Sequence, residues 1–319
     1  MKAAVIGAGG FLGGVLCEQL CRSGWEVSGY DVAEPARMIQ ETRFEHLDIL
    51  GDELSLPEGT DAVFYLAQSL QYREFPQCAD QLFGVNVYGA VKAARAACAC
   101  GAGFFCYTST GNVYRPSLES LAEDCPVRRD EPYALSKLAA EEALSLFSGR
   151  MSVVSVRPFG LFGPGQQKML PVALLRKIQA GEPIVLEPAA GETQRTDGLE
   201  ISFCYVDDAA RCLQQLARRA LASAELPAVL NLAGPEPISI RRFAVTLGGI
   251  LGIEPKFQRA DSTRTLNLIG DVSRLRALLD PAFVPFSEAM QRTYQEVLNH
   301  GCATRCERSE RSQRQPGSV

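Results

Sequence analysis

Histidine is almost absent from this chain of 319 residues, which contains only His46 and His300. Its 11 cysteines include no CxxC pair, so histidine and thiolate ligands cannot be combined into a zinc site, and we expect no metal. Most of the cysteines stand within apolar runs. This placement predicts reduced thiols that are mostly buried and pack as small hydrophobic side chains.

Long apolar runs and an excess of basic residues are missing as well. No stretch approaches about 18 uninterrupted apolar residues, which argues against a membrane span. The chain has 32 Lys and Arg against 37 Asp and Glu, and this net charge of −5 argues against nonspecific nucleic-acid binding. The amino terminus shows no small-residue cleavage site of a signal peptide, so we expect a cytoplasmic location.

The residues that are present are typical of a folded α/β protein. Apolar residues make up 46% and charged residues 22% of the chain, and its length corresponds to roughly two domains of about 150 residues. Strand-like and helix-like segments alternate as far as Pro158, which predicts a Rossmann-type, doubly wound parallel sheet. The predicted strands are Lys2–Ile6, Glu26–Tyr30, Arg43–Leu47, Ala62–Leu66, Gly103–Thr108 and Ser152–Arg157. The predicted helices are Phe11–Ser23, Gln77–Cys100 and Pro132–Phe147.

A smaller α/β substrate domain is expected beyond Pro158, where Gly and Pro become frequent. A helix is predicted there over Pro235–Leu251, with Ser239 as a helix cap. The last residues are polar and aperiodic, which predicts a disordered tail. The predicted divisions are 1–162 with 201–233 for the sheet domain, 163–200 with 234–298 for the substrate domain, and 299–319 for the tail.

A glycine-rich segment follows the first strand and opens the first helix. Gly7, Gly10 and Gly13 have the spacing at which glycines permit a tight turn, close approach of a pyrophosphate, and close packing of helix on strand. The helix start, with Phe11 and Leu12, would present free N–H groups to the phosphates. The segment predicts a dinucleotide site, and a glycine turn without a ligand is the alternative.

Two aspartates follow the next strands. Asp31 could accept hydrogen bonds from both ribose hydroxyls and would repel a 2′-phosphate, which favours NAD over NADP. A capping or turn role is the alternative. Asp48 could meet the adenine amino group with Ile49 against the ring, and it could equally be a plain loop carboxylate.

A tyrosine and a lysine stand four residues apart in a predicted helix. Tyr133 and Lys137 would share one helix face, where the ammonium would lower the pKa of the phenol and make it a base. A surface pair is the alternative. Thr110 follows the fifth predicted strand, at the edge where open α/β sheets bind ligands, and could hold the reacting oxygen. Ser109 is the competing candidate.

In their order and spacing these motifs resemble the extended short-chain dehydrogenase/reductases, in the NAD-dependent epimerase/dehydratase group. The resemblance covers residues 1 to about 298. The segments that carry it are Gly7/Gly10/Gly13, Asp31, Asp48, Leu66-Ala67, Asn86-Val87-Tyr88-Gly89, Ser109-Thr110, Val113-Tyr114, Tyr133/Lys137, Arg157-Pro158-Phe159, Gly163-Pro164-Gly165-Gln166 and Tyr205-Val206-Asp207-Asp208.

The resemblance implies an enzyme with NAD as cofactor. Tyr133 would be the general base and acid, Lys137 would lower its pKa and hold the nicotinamide ribose, and Thr110 would orient the substrate. Contacts with the cofactor are implied for Leu66, Ala67 and Pro158, and an organising role for Asn86. Family members often form homodimers through the two helices predicted here at Gln77–Cys100 and Pro132–Phe147, which would build a four-helix bundle.

Departures from the family pattern narrow the choice among the reactions that the family catalyses. Gly111 and Asn112 follow Thr110 where dehydratases carry Asp and Glu, and decarboxylating relatives usually keep Glu at the third position. We therefore expect an epimerase that acts on a nucleotide-diphosphate sugar. Hydride would leave one face of the sugar carbon and return to the other through a 4-keto intermediate.

Other departures concern the substrate. Ile201 and Ser202 stand where the family's sugar-nucleotide enzymes usually carry Arg and Asp, and Gly160 stands where Asn is frequent. Arg195 and Arg264 could supply the lost charge to a diphosphate, or could be solvated loop residues. Gln68-Ser69 also replaces the usual small pair after Ala67, so an unusual acceptor is possible.

Two other functions compete with epimerisation. One is a net reductase or dehydrogenase that acts on a sugar or a non-sugar carbonyl, which would exchange its cofactor freely. The other is a nucleotide-sensing or scaffold protein that has lost catalysis. Such proteins commonly lose the tyrosine or the lysine, and both are present here.

Overall fold

The computed structural model of the chain describes residues 1–34, 41–191 and 196–295. The strands are β1 (Lys2–Ile6), β2 (Glu26–Asp31), β3 (Thr42–His46), β4 (Ala62–Tyr65), β5 (Phe104–Thr108), β6 (Ser152–Pro158), β7 (Leu161–Phe162), β8 (Ile184–Leu186), β9 (Glu200–Ile201), β10 (Cys204–Tyr205), β11 (Val229–Leu232), β12 (Ile238–Ser239) and β13 (Phe257–Arg259). The helices are α1 (Phe11–Arg22), α2 (Ala79–Phe83), α3 (Ala90–Ala99), α4 (Pro132–Ser145), α5 (Leu170–Ala180), α6 (Val206–Leu221), α7 (Ile240–Leu251) and α8 (Ser273–Leu279). Residues 286–295 are also helical.

A seven-stranded sheet with the order β11-β6-β5-β4-β1-β2-β3 forms the centre of the molecule. Every neighbouring pair in it is parallel. The strand order reverses beside β1, so the ends of β1 and β4 border a crevice at the carboxyl edge of the sheet. The doubly wound Rossmann-type sheet predicted from the sequence is confirmed.

Alternate residues of each strand serve two separate cores, as the pleat requires. Ala3 and Val5 join the core beneath α1 and α6, whereas Ala4 and Ile6 join the core beneath α3 and α4. All four side chains are at most 2% exposed. Both faces of the sheet are therefore covered, which explains why its central strands read as continuous apolar runs.

A third core lies among the carboxyl-terminal elements. It is built around Phe162, Phe203 and Phe243, whose rings contact one another. Short strand pairs flank it: β8 with β13, and β9 with β12. The sequence predicts a second α/β domain in this part of the chain, and its exact division stays a prediction.

The helix predicted over Gln77–Cys100 is interrupted. A π-helical turn (Gly84–Gly89) separates α2 from α3. The Tyr65 hydroxyl donates to the Val85 carbonyl at 2.6 Å, and the Tyr107 hydroxyl donates to the Asn86 carbonyl at 3.1 Å. These side chains from the sheet compete for carbonyls of the regular helix ladder, which locally widens the helix.

The helix predicted over Pro235–Leu251 begins later than expected. Ile238 and Ser239 first pair with β9 as an extended strand, and α7 starts at Ile240. The capping prediction for Ser239 is correct, since its hydroxyl accepts a hydrogen bond from the Arg242 N–H at 3.1 Å. The predicted tail over 299–319 lies outside the described residues.

Candidate active site

The turn after β1 can be made only by glycine. Gly7 has a φ of +95°, and a Cβ at this position would lie 2.6 Å from the backbone nitrogen of Ala67. The backbone nitrogens of Leu66 and Ala67 in turn donate to the Ile6 carbonyl at 2.7 and 3.1 Å. The segment after β4 therefore packs directly against the glycine loop.

The start of α1 is close to β1 and lacks a capping side chain. A Cβ at Gly13 would lie 2.0 Å from the Gly7 carbonyl oxygen, so only glycine allows this approach. Gly10 caps the helix without a side-chain hydrogen bond, which leaves the first-turn N–H groups of Phe11 and Leu12 for an anion. A dinucleotide pyrophosphate such as that of NAD fits this cradle in shape and charge.

Asp31 lies at the tip of β2, next to the glycine loop. One carboxylate oxygen accepts from the Gly9 N–H at 2.9 Å, and the other accepts from the Ala33 N–H at 3.2 Å. The carboxylate is therefore held against the glycine loop. Its predicted contact with the ribose hydroxyls stays a prediction.

Asp48 and Ile49 differ sharply in exposure. The Asp48 side chain is exposed, and one of its oxygens accepts from the Leu50 N–H at 3.0 Å in a local turn. Ile49 is only 6% exposed and lies against Gly89 in the core beneath α3. The predicted adenine contacts remain predictions, and the turn bond matches the simpler loop interpretation of Asp48.

Tyr133 stands in the first turn of α4. The Glu131 carboxylate caps this helix by accepting from the N–H groups of Tyr133 and Ala134 at 3.1 and 2.7 Å, and Pro132 occupies the first turn. The Tyr133 hydroxyl donates to the side-chain oxygen of Gln68 at 3.0 Å. The ring of Tyr72 packs on the Tyr133 ring with centroids 4.9 Å apart.

Burial raises the pKa of the Tyr133 phenol above its ordinary value, while its hydrogen bond with the Thr110 hydroxyl acts in the opposite direction. The neighbouring Tyr72 and Glu131 side chains add to the increase. The chain on its own therefore favours the neutral phenol, and the lowered pKa expected from the Tyr–Lys spacing is not found in it. That lowering stays a prediction for the complex with the cofactor.

Lys137 lies one turn further along α4 and is 1% exposed. Its ammonium donates to the Thr108 carbonyl at 2.9 Å and lies 5.1 Å from the ring centre of Tyr107 and 5.9 Å from that of Tyr133. Burial lowers the pKa of Lys137 to about 7, against the opposing charge of Glu141. The shared helix face predicted for Tyr133 and Lys137 is present.

Thr110 and Ser109 follow β5 at the same edge of the sheet. Thr110 accepts from the Asn112 N–H at 3.2 Å and lies within hydrogen-bonding reach of Tyr133. Ser109 is 3% exposed, and its hydroxyl has no hydrogen-bond partner among the described residues. Thr110 is therefore the hydroxyl placed beside the phenol.

Asn86 supports the site from inside the fold. It is fully buried, its side-chain oxygen accepts from the Ser69 N–H at 3.0 Å, and its amide donates to the Ser136 hydroxyl at 2.9 Å. Both polar atoms of its side chain are thus engaged. This arrangement suits the organising role that the resemblance implies, and direct contact with a substrate would require these bonds to break.

The predicted substrate residues lie in different settings. Pro158, at the end of β6, is partly exposed at the sheet edge. A Cβ on Gly160 would lie 2.7 Å from the Ile201 side chain, so the position faces the third core. Ile201 and Ser202 are 4% and 1% exposed and carry no charge toward a ligand. Arg195 lies outside the described residues.

Arg264 has an unusual environment. Its backbone bonds with Pro188 at 2.9 Å and with Ala190 at 3.2 Å, which fixes the segment. Its Nε and Nη1 atoms are buried and have no hydrogen-bond partner in the part of the chain that the structure describes. Because buried donors without an acceptor are costly, this guanidinium is suited to an anionic ligand.

Two further residues and one ion pair were not assigned roles from the sequence. Gln68 and Tyr72 contact Tyr133 directly, and only the unusual Gln68-Ser69 pair hinted at this. Arg157 makes a buried two-point pair with Glu141 on α4, with bonds of 3.0 and 2.6 Å. A buried Arg–Glu pair across two elements leaves no local pattern in a sequence.

A family model described as the NAD dependent epimerase/dehydratase family matches residues 3–233. The chain therefore belongs to the NAD dependent epimerase/dehydratase family. The resemblance to this family found from the sequence is confirmed, and so is the expectation of an enzyme. NAD is the cofactor of the family, and the glycine loop described above fits it.

The chain is also similar to two named relatives and to one solved structure. It is 28% identical to 2-alkyl-3-oxoalkanoate reductase of Stenotrophomonas maltophilia, over 88% of this chain and 84% of the relative. It is 26% identical to UDP-glucose 4-epimerase of Mycolicibacterium smegmatis, over 85% and 93%. The structure of UDP-glucuronic acid 4-epimerase from Bacillus cereus with UDP-glucuronic acid and NAD matches with a TM-score of 0.76 and 23% identity, over 94% and 99%. At that identity the structural likeness establishes the fold.

Among the described residues, no helix is long and apolar enough to cross a membrane. Over the same residues, no cluster of three or more His, Cys, Asp or Glu side chains is arranged to hold a metal ion.

Proposed function

We propose that the protein is an NAD-dependent epimerase that acts on a nucleotide-diphosphate sugar. The observation that carries the proposal is the grouping of Thr110, Tyr133 and Lys137 at the carboxyl edge of the sheet, beside a glycine loop that fits NAD. The acids that a dehydratase needs after Thr110 are replaced by Gly111 and Asn112. The likeness to UDP-glucose 4-epimerase supports the same reaction class.

Three residues of the chain have different roles in the proton transfer. Thr110 orients the sugar hydroxyl, and Tyr133 takes its proton and later returns it. Lys137, together with the positive nicotinamide ring, favours the phenolate that this step requires. The glycine loop would hold NAD, which would supply a reversible hydride acceptor for the same carbon, and the substrate would pass through a 4-keto form.

The diphosphate of such a substrate needs a cationic partner. Ile201, where the family resemblance led us to expect arginine, is buried and uncharged, so it cannot serve. Arg264 offers two buried guanidinium nitrogens that have no acceptor within the described residues. We assign the diphosphate to Arg264 because a charge-assisted bond would satisfy these donors.

Native mass spectrometry of the purified protein against a panel of nucleotide-diphosphate sugars tests this proposal. We expect retained NAD, binding of one nucleotide class, and interconversion of two epimers without net NADH. Tyr133→Phe should keep the bound NAD and lose turnover by about 10²–10⁴-fold. Failure of every nucleotide sugar to bind would reject the proposal, and biological activity that survives in Tyr133→Phe would indicate a non-catalytic protein.

A reductase of a non-sugar carbonyl is the second candidate. It is favoured by the uncharged, buried Ile201 and Ser202, and by the likeness to 2-alkyl-3-oxoalkanoate reductase. Such an enzyme would exchange its cofactor freely and consume NADH in step with the carbonyl. Stopped-flow detection of net NADH oxidation with a β-keto acid, and none with nucleotide sugars, would decide for it.

We also propose a cytoplasmic homodimer built through α3 and α4. These helices pack side by side, and Tyr88 and Leu146 next to them are 59% and 84% exposed. Light scattering should give twice the chain mass of 34.6 kDa. A monomer at micromolar concentration would reject this arrangement.

A further inference from the structure

A side chain outside the Thr–Tyr–Lys set touches the reacting oxygen. We propose that Gln68 is a positioning residue for Tyr133: its amide oxygen accepts the phenol hydrogen bond and holds the hydroxyl protonated until a substrate replaces it. The contact is 3.0 Å long. This inference rests on the proposed role of Tyr133 and concerns how the phenol is controlled.

The loop that carries Gln68 is fixed on both sides. Before it, the N–H groups of Leu66 and Ala67 bind the Ile6 carbonyl at 2.7 and 3.1 Å. After it, Ser69 is 1% exposed, and its hydroxyl donates to the Gln81 side chain at 3.1 Å. Gln68 therefore projects from a backbone that is hydrogen-bonded on both sides.

The same loop is tied to the helix of Tyr133. The Ser69 N–H binds the Asn86 side chain, which binds Ser136, and the Ser136 hydroxyl donates to the Tyr133 carbonyl at 2.8 Å. This chain of bonds joins the residue after Gln68 to α4. The backbone that carries Gln68 is thus held at a fixed place relative to α4, although the Gln68 side chain itself is exposed.

An amide oxygen can accept a hydrogen bond from a phenol but can make none with a phenolate. In the observed contact Gln68 presents its oxygen and so stabilises the neutral form, whereas Thr110 favours ionisation. The other charged or titratable groups around the phenol are Lys137 on the same helix, Tyr107 on β5, Tyr72 on the loop and Glu131 at the helix cap. A substrate hydroxyl that displaces Gln68 would remove the group that holds the proton in place.

The ionisation of Tyr133 can be measured without turnover. A fluorinated tyrosine at position 133 acidifies the phenol, and fluorine NMR of the NAD-loaded protein follows its titration. Gln68→Met keeps the size of the side chain and removes the acceptor, so the ionisation constant should rise about tenfold and the midpoint should fall by about one pH unit. Gln68→Glu should move the midpoint the other way, because a carboxylate is a stronger acceptor.

Gln77→Met is the matched control, because Gln77 is an exposed glutamine at the end of the same loop. Its titration should coincide with that of the parent protein. A midpoint that does not move in Gln68→Met, or that moves upward, would overturn the proposal. A responsive titration in a protein that epimerises no sugar would reject the proposed function while this inference stands.

Discussion

Lys137 shows at the scale of a single residue how burial and catalysis conflict. The residue is 1% exposed, and its ammonium donates a hydrogen bond to the Thr108 carbonyl at 2.9 Å. Burial therefore lowers its pKa to about 7 from an ordinary value of 10.5. The folded chain gives up this proton at a pH where the unfolded chain still holds it.

This difference makes stability depend on pH. Between about pH 7 and about pH 10 the unfolded chain binds more protons at this site, so the free energy of unfolding should rise with pH by up to about 1.4 kcal/mol per pH unit. Below that window both states are protonated and the cost of the buried charge is fully present. Lys137→Met should lack this rise, which urea denaturation of the NAD-free protein at several pH values would detect. If the free energy of unfolding depended on pH in the same way in the parent and the variant, the pKa assigned to Lys137 would be contradicted.

Gly13 and Gly14 form a natural pair for testing the loop. A Cβ at Gly13 would lie 2.0 Å from the Gly7 oxygen, whereas a Cβ at Gly14 would lie 3.7 Å from its nearest neighbour, the Ala8 oxygen. Gly13→Ala should abolish NAD retention and destabilise the fold, because the backbone of the glycine loop would have to move away from the new Cβ. Gly14→Ala should retain NAD and gain about 0.5–1 kcal/mol in unfolding free energy from helix propensity. Equal NAD affinity in the two variants, measured by calorimetry, would exclude the close approach as a requirement.

At the scale of elements, α4 is anchored to β6 by the buried pair of Glu141 and Arg157, whose side chains are each 6% exposed. Glu141→Gln leaves a buried guanidinium without its counter-charge and should cost about 3–5 kcal/mol. Glu142→Gln breaks the neighbouring pair with Arg129, whose side chains are 64% and 58% exposed, and should cost at most about 1 kcal/mol. Chemical denaturation compares the two variants, and similar losses would show that burial does not set the energy of the pair.

At this scale, the helices and strands that the sequence predicts correctly are those whose determinants are local in the chain. β1, α1 and the start of α4 are specified by apolar runs, glycine spacing and the Pro132 position, and all were predicted within a residue or two. The π-helical turn was missed because its cause is nonlocal: two tyrosines from the sheet bind carbonyls in the helix. The start of α7 was missed because Ile238 and Ser239 pair with a strand distant in the chain.

At the scale of the whole molecule, the same distinction between local and nonlocal determinants applies to the residues of the site. The glycine loop, Asp31, Thr110, Tyr133 and Lys137 could be predicted, because each stands at the end of a strand or on one helix face, and parallel topology brings strand ends together. The contact of Gln68 with the phenol and the buried setting of Arg264 could not, since both depend on where separate loops pack. The sequence therefore predicts the placement of residues at strand ends better than that of residues on loops, and the roles of both sets stay predictions.

Binding of NAD and binding of the substrate should respond separately to substitution. Arg264 lies in the carboxyl-terminal part of the chain, and two of its nitrogens are buried without an acceptor in the described residues, so a nucleotide diphosphate should be their ligand. Arg264→Met should weaken binding of UDP by about tenfold to a hundredfold and leave NAD binding unchanged, both measured by calorimetry. Arg176→Met removes an exposed arginine on α5 and should change neither affinity. If Arg264→Met weakened NAD and UDP alike, the arginine would serve the fold rather than the substrate, and the reductase would become the better assignment.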